Sequence, residues 1–69
     1  MRSYNESFYT VAEVSELLRV SPLTIYKYIR SRKLEAIELG GHYRIDSHSL
    51  KRFIESHKLL VENTSEESI

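Results

Sequence analysis

The sequence predicts a small, mostly α domain with a small β-hairpin, on three observations. Ser21-Pro22 heads a run in helical period that ends at the basic cluster Arg30, Arg32 and Lys33. Thr10-Val11-Ala12-Glu13 has the spacing of a capping box and heads a second such run. Gly40-Gly41 separates two short extended segments, and both central positions of a type I′ hairpin turn need φ > 0. Two amphipathic helices linked by only Arg19-Val20-Ser21 cross steeply and leave one face of the second helix projecting, although so short a link also permits a plain helical hairpin. With a third helix after the hairpin, the expected architecture is a winged helix-turn-helix.

Each element has a local cause. In the first helix, about 11–18, Val11, Val14 and Leu18 make one stripe, with Ser15 beside it and Leu17 at its edge. Phe8 and Tyr9 are placed to staple onto it, and Val20 to fill the angle between the helices. Ser21 caps the second helix and Pro22 takes its first position, where the missing N–H costs nothing. Ile25 and Ile29, one turn apart, then face inward while Leu23, Thr24, Lys27, Arg30 and Ser31 face outward, flanked by Tyr26 and Tyr28. This helix ends near Ser31 or Arg32. Leu34 to Leu39 and His42 to Ile45 form the two-stranded wing. Asp46 caps the third helix, which turns Leu50, Phe53, Ile54 and His57 one way and Lys51, Arg52 and Glu55 to water. The expected core is Val11, Val14, Leu18, Val20, Ile25, Ile29, Leu34, Ile45, Leu50, Phe53 and Ile54.

Sixty-nine residues allow one domain with a thin core, here 9–58, between a flexible N-terminus (1–8) and a disordered acidic tail (59–69). The net charge is zero, but from Arg19 to Lys58 nine lysines and arginines face four acids. The middle is basic and the ends cancel it. The absence of cysteine, of an apolar signal core and of any long apolar run fits a soluble cytoplasmic protein. His42, His48 and His57 lack the spacing of a metal site, and no serine sits in a nucleophile motif. No enzyme, metal, cofactor, small-molecule ligand or membrane association is expected.

The ordered set Thr10-x-x-Glu13, Leu17-Leu18-x-Val20-Ser21, Thr24-Ile25, Ile29, Lys33-Leu34, Ala36, Gly40-Gly41 and Arg44-Ile45 resembles the small winged helix-turn-helix domains of the excisionase type, relatives of the MerR DNA-binding domain. The likeness runs from Tyr9 to Ile54. It implies three helices and a two-stranded wing, with the second helix in the major groove and the wing on the backbone or in the minor groove. Two departures stand out: Ser15 where the family often has alanine, and Arg32 where it often has glycine. Arg32 speaks against a left-handed helix cap there and adds a cation near the phosphates.

Sequence readout needs side chains at base edges, and affinity needs cations on phosphates. Thr24, Lys27 and Arg30 are the candidates for base edges, with Leu23 against a thymine methyl; a solvated helix face is the other reading of Lys27 and Arg30. Ser21 caps the helix and, with Thr24, stands where a phosphate is attracted. Tyr26 either bonds a phosphate or packs on the wing, and Tyr28 packs. The resemblance places Gly41, His42 and Arg44 of the wing at the DNA backbone or minor groove, and Arg32 and Lys33 before it are further candidates, as cations near the phosphates; a His42 contact would strengthen as the imidazole charges. The function so implied is a double-stranded DNA-binding excisionase, a recombination directionality factor of a mobile element in a prokaryotic nucleoid. It would bend attachment sites, assist an integrase and sit beside further copies of itself. A small transcriptional regulator of the same fold is the alternative, and a protein-interaction module using Leu23, Tyr26 and Tyr28 a remote one.

Overall fold

Thr10 ends a strand and starts a helix, and the rest of the fold is hung on that junction. The structure, a computed structural model, describes residues 7–59; the expected flexible start and acidic tail lie, apart from Ser7, Phe8 and Leu59, outside the described residues. The elements in order are β1 (Phe8–Thr10), α1 (Val11–Leu18), α2 (Pro22–Arg30), β2 (Ile37–Leu39), β3 (His42–Asp46) and α3 (Ser47–Ser56). Three helices and a β2–β3 wing are the winged helix-turn-helix read from the sequence. The wing gains a third strand: β1 pairs antiparallel with β3, in the order β1-β3-β2.

That strand adds a second role for Phe8 and Tyr9. Tyr9 packs against the core and shares a groove with Glu13, Glu16 and Leu17 of α1. In the sheet Phe8 lies opposite Asp46 and Tyr9 opposite Ile45, while the Ser47 N–H donates to the Ser7 carbonyl at 2.9 Å. Only the pairing with β3 gives so short a segment a reason to be extended.

The helix starts are set locally. Glu13 N–H donates to Thr10 Oγ1 at 3.0 Å and the Glu13 carboxylate accepts from Thr10 N–H at 2.9 Å, which completes the capping box. Ser21 accepts from Thr24 N–H, and Asp46 from Ser49 N–H. Caps of this kind contribute about 1 kcal/mol each.

Helices α1 and α2 end alike. Arg19 N–H bonds Glu16 O and Val20 N–H bonds Ser15 O; Arg32 N–H bonds Ile29 O and Lys33 N–H bonds Tyr28 O. These are two Schellman closures, and the residue that each holds in the left-handed region is an arginine, Arg19 at φ 60° and Arg32 at φ 64°. The expectation that arginine speaks against a left-handed cap at position 32 is therefore corrected: the two hydrogen bonds impose the conformation on a residue that has a Cβ.

The core is Val11, Val14, Ile25, Leu34, Ile45, Leu50 and Phe53, with Leu18, Ile29 and Ile54 half-buried against it. Val20 is the exception among the expected core residues, since the reversal at Arg19 leaves it at the margin, 36% exposed. Tyr28 packs as expected, its ring centroid 5.0 Å from Phe53 and 6.1 Å from His57. The first strand of the wing is shorter than Leu34–Leu39. Leu34 is buried within the connection, and only Ile37–Leu39 pairs with β3. In that connection Glu35 accepts from Arg52 Nη2 at 2.8 Å and from Ser49 Oγ at 3.2 Å, which ties the exit of α2 to α3.

Candidate functional site

The outward face of α2 follows from what its inward face buries. Ile25 is fully enclosed, and Ile29 and Tyr28 pack beside it, so at 100° per residue Leu23, Lys27 and Arg30 must project. Leu23 is 66% exposed, an unfavourable place for leucine unless something covers it. Lys27 and Arg30 are exposed, and no ion pair among the described residues holds either. Thr24 sits differently from its expected place on the open face. It is half-buried with its hydroxyl 3.1 Å from Ser21 Oγ, so both hydroxyls belong to the start of α2.

The wing approaches α2 through Tyr26, whose ring lies 6.0 Å from that of Tyr43 at 53°. Of the two readings of Tyr26, packing on the wing is the one the rings display. A shallow groove lined by Thr10, Tyr26, His42, Tyr43 and Arg44 runs along this contact and brings together one α2 and two wing candidates. At the wing's end Gly40 (φ 55°) and Gly41 (φ 85°) make the turn, and Leu39 lies opposite His42. Arg44 stands two residues inward, opposite both Thr10 and Ile37, and its Nη1 donates to the Tyr43 carbonyl at 3.0 Å. Gly41 and His42 therefore occupy the tip, and Arg44 the middle of the sheet.

Arg32 and Lys33 are turned another way. They line a groove with Arg52, Phe53 and Ser56 of α3, at the far end of α2 from Ser21. Neither has an ionic partner among the described residues, because Glu35 is engaged by Arg52 and Glu55 lies 3.7 Å from Lys58. Sequence reasoning passed over Arg19, an exposed cation in the link just ahead of Ser21. Its charge was visible; its left-handed placement was not.

Among the described residues no helix is long and apolar enough to cross a membrane, and no group of three metal-ligating side chains comes together. What the described residues offer is a convex helix face whose cations have no ionic partner among them, a hairpin beside it and shallow grooves.

Comparison with known proteins agrees with this geometry. Over 47 residues the chain is 43% identical to the uncharacterised protein YvgK of Bacillus subtilis, a match covering 68% of this chain and 15% of that protein. It is 34% identical over 47 residues to the protein named "Putative DNA-binding protein Rv0500A" of Mycobacterium tuberculosis H37Rv, covering 68% of this chain and 60% of that one. The chain thus spans less than two thirds of either relative's length. No solved structure gives a significant match. Residues 8–58 match the family model described as a helix-turn-helix domain, which takes in every helix and strand of the fold, and the chain belongs to that family.

Proposed function

We propose that this chain binds double-stranded DNA sequence-specifically, with α2 in the major groove and the β2–β3 wing against the backbone or in the minor groove. The observation that carries the reading is the outward face of α2, where exposed Leu23, Lys27 and Arg30 have no partner within the described residues. Exposed cations beside an exposed apolar side chain suit a major groove, which presents phosphates, base-edge acceptors and thymine methyls together. The name of the mycobacterial relative supports the same ligand. In this reading Lys27 and Arg30 reach base edges, Leu23 meets a methyl group, and Ser21 and Thr24 order the helix start. Gly41, His42 and Arg44 contact DNA through the wing, and Arg32 and Lys33 add positive charge beyond α2.

The finer role we propose is that of an excisionase-type accessory factor, which bends attachment sites at the nucleoid and assists an integrase, with further copies on adjacent sites. The ordered motifs from Thr10 to Ile45 support it. A transcriptional regulator built on the same domain is the second reading, favoured by the match to a small part of the much longer YvgK, where the module serves within a larger protein. Mapping of binding across the native genome separates them: enrichment at the ends of an integrated element beside an integrase gene supports the first, and enrichment at promoters the second.

DNA binding itself is tested by salt titration with a selected duplex. Contact with about four to six phosphates gives a log–log slope of roughly −4 to −5. A flat salt dependence would point to a protein partner instead. Arg30→Ala should relax preference at one base position, at about 1–3 kcal/mol, whereas Arg44→Ala should weaken all sequences alike. Equal loss on specific and random DNA from Arg30→Ala would remove it from the base-reading set.

A further inference from the structure

Cations on this fold divide into those with a protein partner and those without. Arg52 is held by Glu35 at 2.8 Å and Lys58 by Glu55 at 3.7 Å. Lys27, Arg30, Arg32 and Lys33, clustered on α2 and its exit, have none among the described residues. The acids nearest to them in the fold are already engaged, yet the chain's formal charge is zero. The balancing charge lies partly in Glu62, Glu66 and Glu67, three acids in a stretch from 59 to 69 that contains no lysine or arginine.

We propose that the acidic segment Glu62–Glu67 docks on the cationic surface of Arg30, Arg32 and Lys33 and competes there with DNA phosphate. The competition rests on the proposed DNA binding; the docking does not. Place and reach support it. The last turn of α3, through Phe53 and Ser56, forms one wall of the groove whose other wall carries Arg32 and Lys33. Arg30 and Arg32 line the groove that follows. The chain therefore leaves α3 beside these cations, and the eight residue-to-residue steps from Leu59 to Glu67 span up to about 27 Å when extended. Tethering over so few residues sets a local concentration of roughly millimolar, enough for several weak, exposed ion pairs to be populated together. Each such pair is weak alone and screened by salt, so the contact yields to a polyanion as dense as DNA.

The test uses the full 69-residue chain and its E62Q/E66Q/E67Q variant, which removes charge at nearly constant shape. In nitrogen-15 spectra without DNA at about 20 mM salt, the two chains should differ at Arg30 to Lys33 and at Arg52 to Ser56. The difference should fade by about 0.5 M salt, as screening predicts, and should not change on dilution. Titration with one duplex should show the variant binding about 3- to 10-fold tighter at 50 mM salt, with the gap closing as salt rises. Coincident spectra at Arg30 to Lys33 would overturn the docking, and a concentration-dependent difference would replace it with contact between copies. Localised spectral differences with equal DNA affinities would overturn the competition. Localised differences in a chain that binds no duplex would uphold the docking and sink the DNA reading instead.

Discussion

Four residues of the described fold sit in the left-handed region, two at the exits of α1 and α2 and two at the tip of the wing, and they are filled in opposite ways. The wing uses Gly40 and Gly41; the helix exits use Arg19 and Arg32. The wing turn joins a three-residue strand to its partner and has little pairing beyond it to hold a strained backbone. Each helix exit is instead closed by two hydrogen bonds, from residues 19 and 20 and from residues 32 and 33. Those bonds offset a penalty of roughly 1–2 kcal/mol for a side-chain-bearing residue at φ near 60°. A glycine is needed where the surroundings cannot impose the conformation. Where they can, the position is open to a side chain with another use, and both exits carry a guanidinium.

The largest effect is expected at the wing. A Cβ built on Gly41 meets nothing within 4 Å, so any cost of Gly41→Val is backbone strain at φ 85° and not a clash. We expect a loss of about 2 kcal/mol and a fall in Tm of roughly 10 °C for a domain of this size. Thermal unfolding followed by circular dichroism measures it. An unchanged Tm would mean that the turn relaxes freely, and the contrast with the helix exits would fail.

Arg32→Gly sharpens the contrast by separating stability from binding. Removing the Cβ relieves the left-handed strain, while the freer unfolded chain takes back part of the gain, so folding should improve by about 0.5 kcal/mol. If the guanidinium serves the proposed DNA contact, affinity should fall by about 3- to 10-fold on specific and random duplexes alike, with a shallower salt slope. A variant that is less stable would show that the arginine side chain, not the hydrogen-bonded backbone, holds the exit of α2.

What could be read from the sequence divides along the same line. The Thr10–Glu13 box, the Ser21 and Asp46 caps and the Gly40-Gly41 turn were legible because their partners lie within three residues. Ile25 was legible as core from helical period, whereas Leu34 was expected in the core as part of a strand and is buried within the connection instead. The pairing of Tyr9 with Ile45 and the tie from Glu35 to Arg52 were not, since each joins segments that only the finished fold brings together. The left-handed arginines were hidden by their identity: the usual sequence sign of that conformation is glycine, and here hydrogen bonds do the work of composition. In the candidate site, periodicity turned Lys27 and Arg30 outward. It could not show that Thr24 would be drawn into the cap by Ser21, that Tyr26 would meet Tyr43, or that Arg32 and Lys33 would face α3.

Arg19→Gly is the smallest and most discriminating of these changes. The backbone argument is the same as at Arg32, with the same pair of closing bonds and nearly the same φ, so the same gain of about 0.5 kcal/mol is expected. The functional argument differs. Arg19 stands ahead of Ser21, at the end of α2 that points its N–H groups outward, where a phosphate backbone passing the helix start would meet the guanidinium. One exposed cation added to that field should change affinity by only about threefold, in a salt-dependent way and without altering base preference. Parallel measurement of urea midpoints and duplex affinity for the Arg19 and Arg32 variants reads both quantities at once. Equal stability gains with equal affinity losses would make the two exits equivalent clamps on the backbone. A gain at both with a loss only at Arg32 would confine the backbone contact to the α3 side of α2, and the left-handed Arg19 would then be a residue of the fold alone.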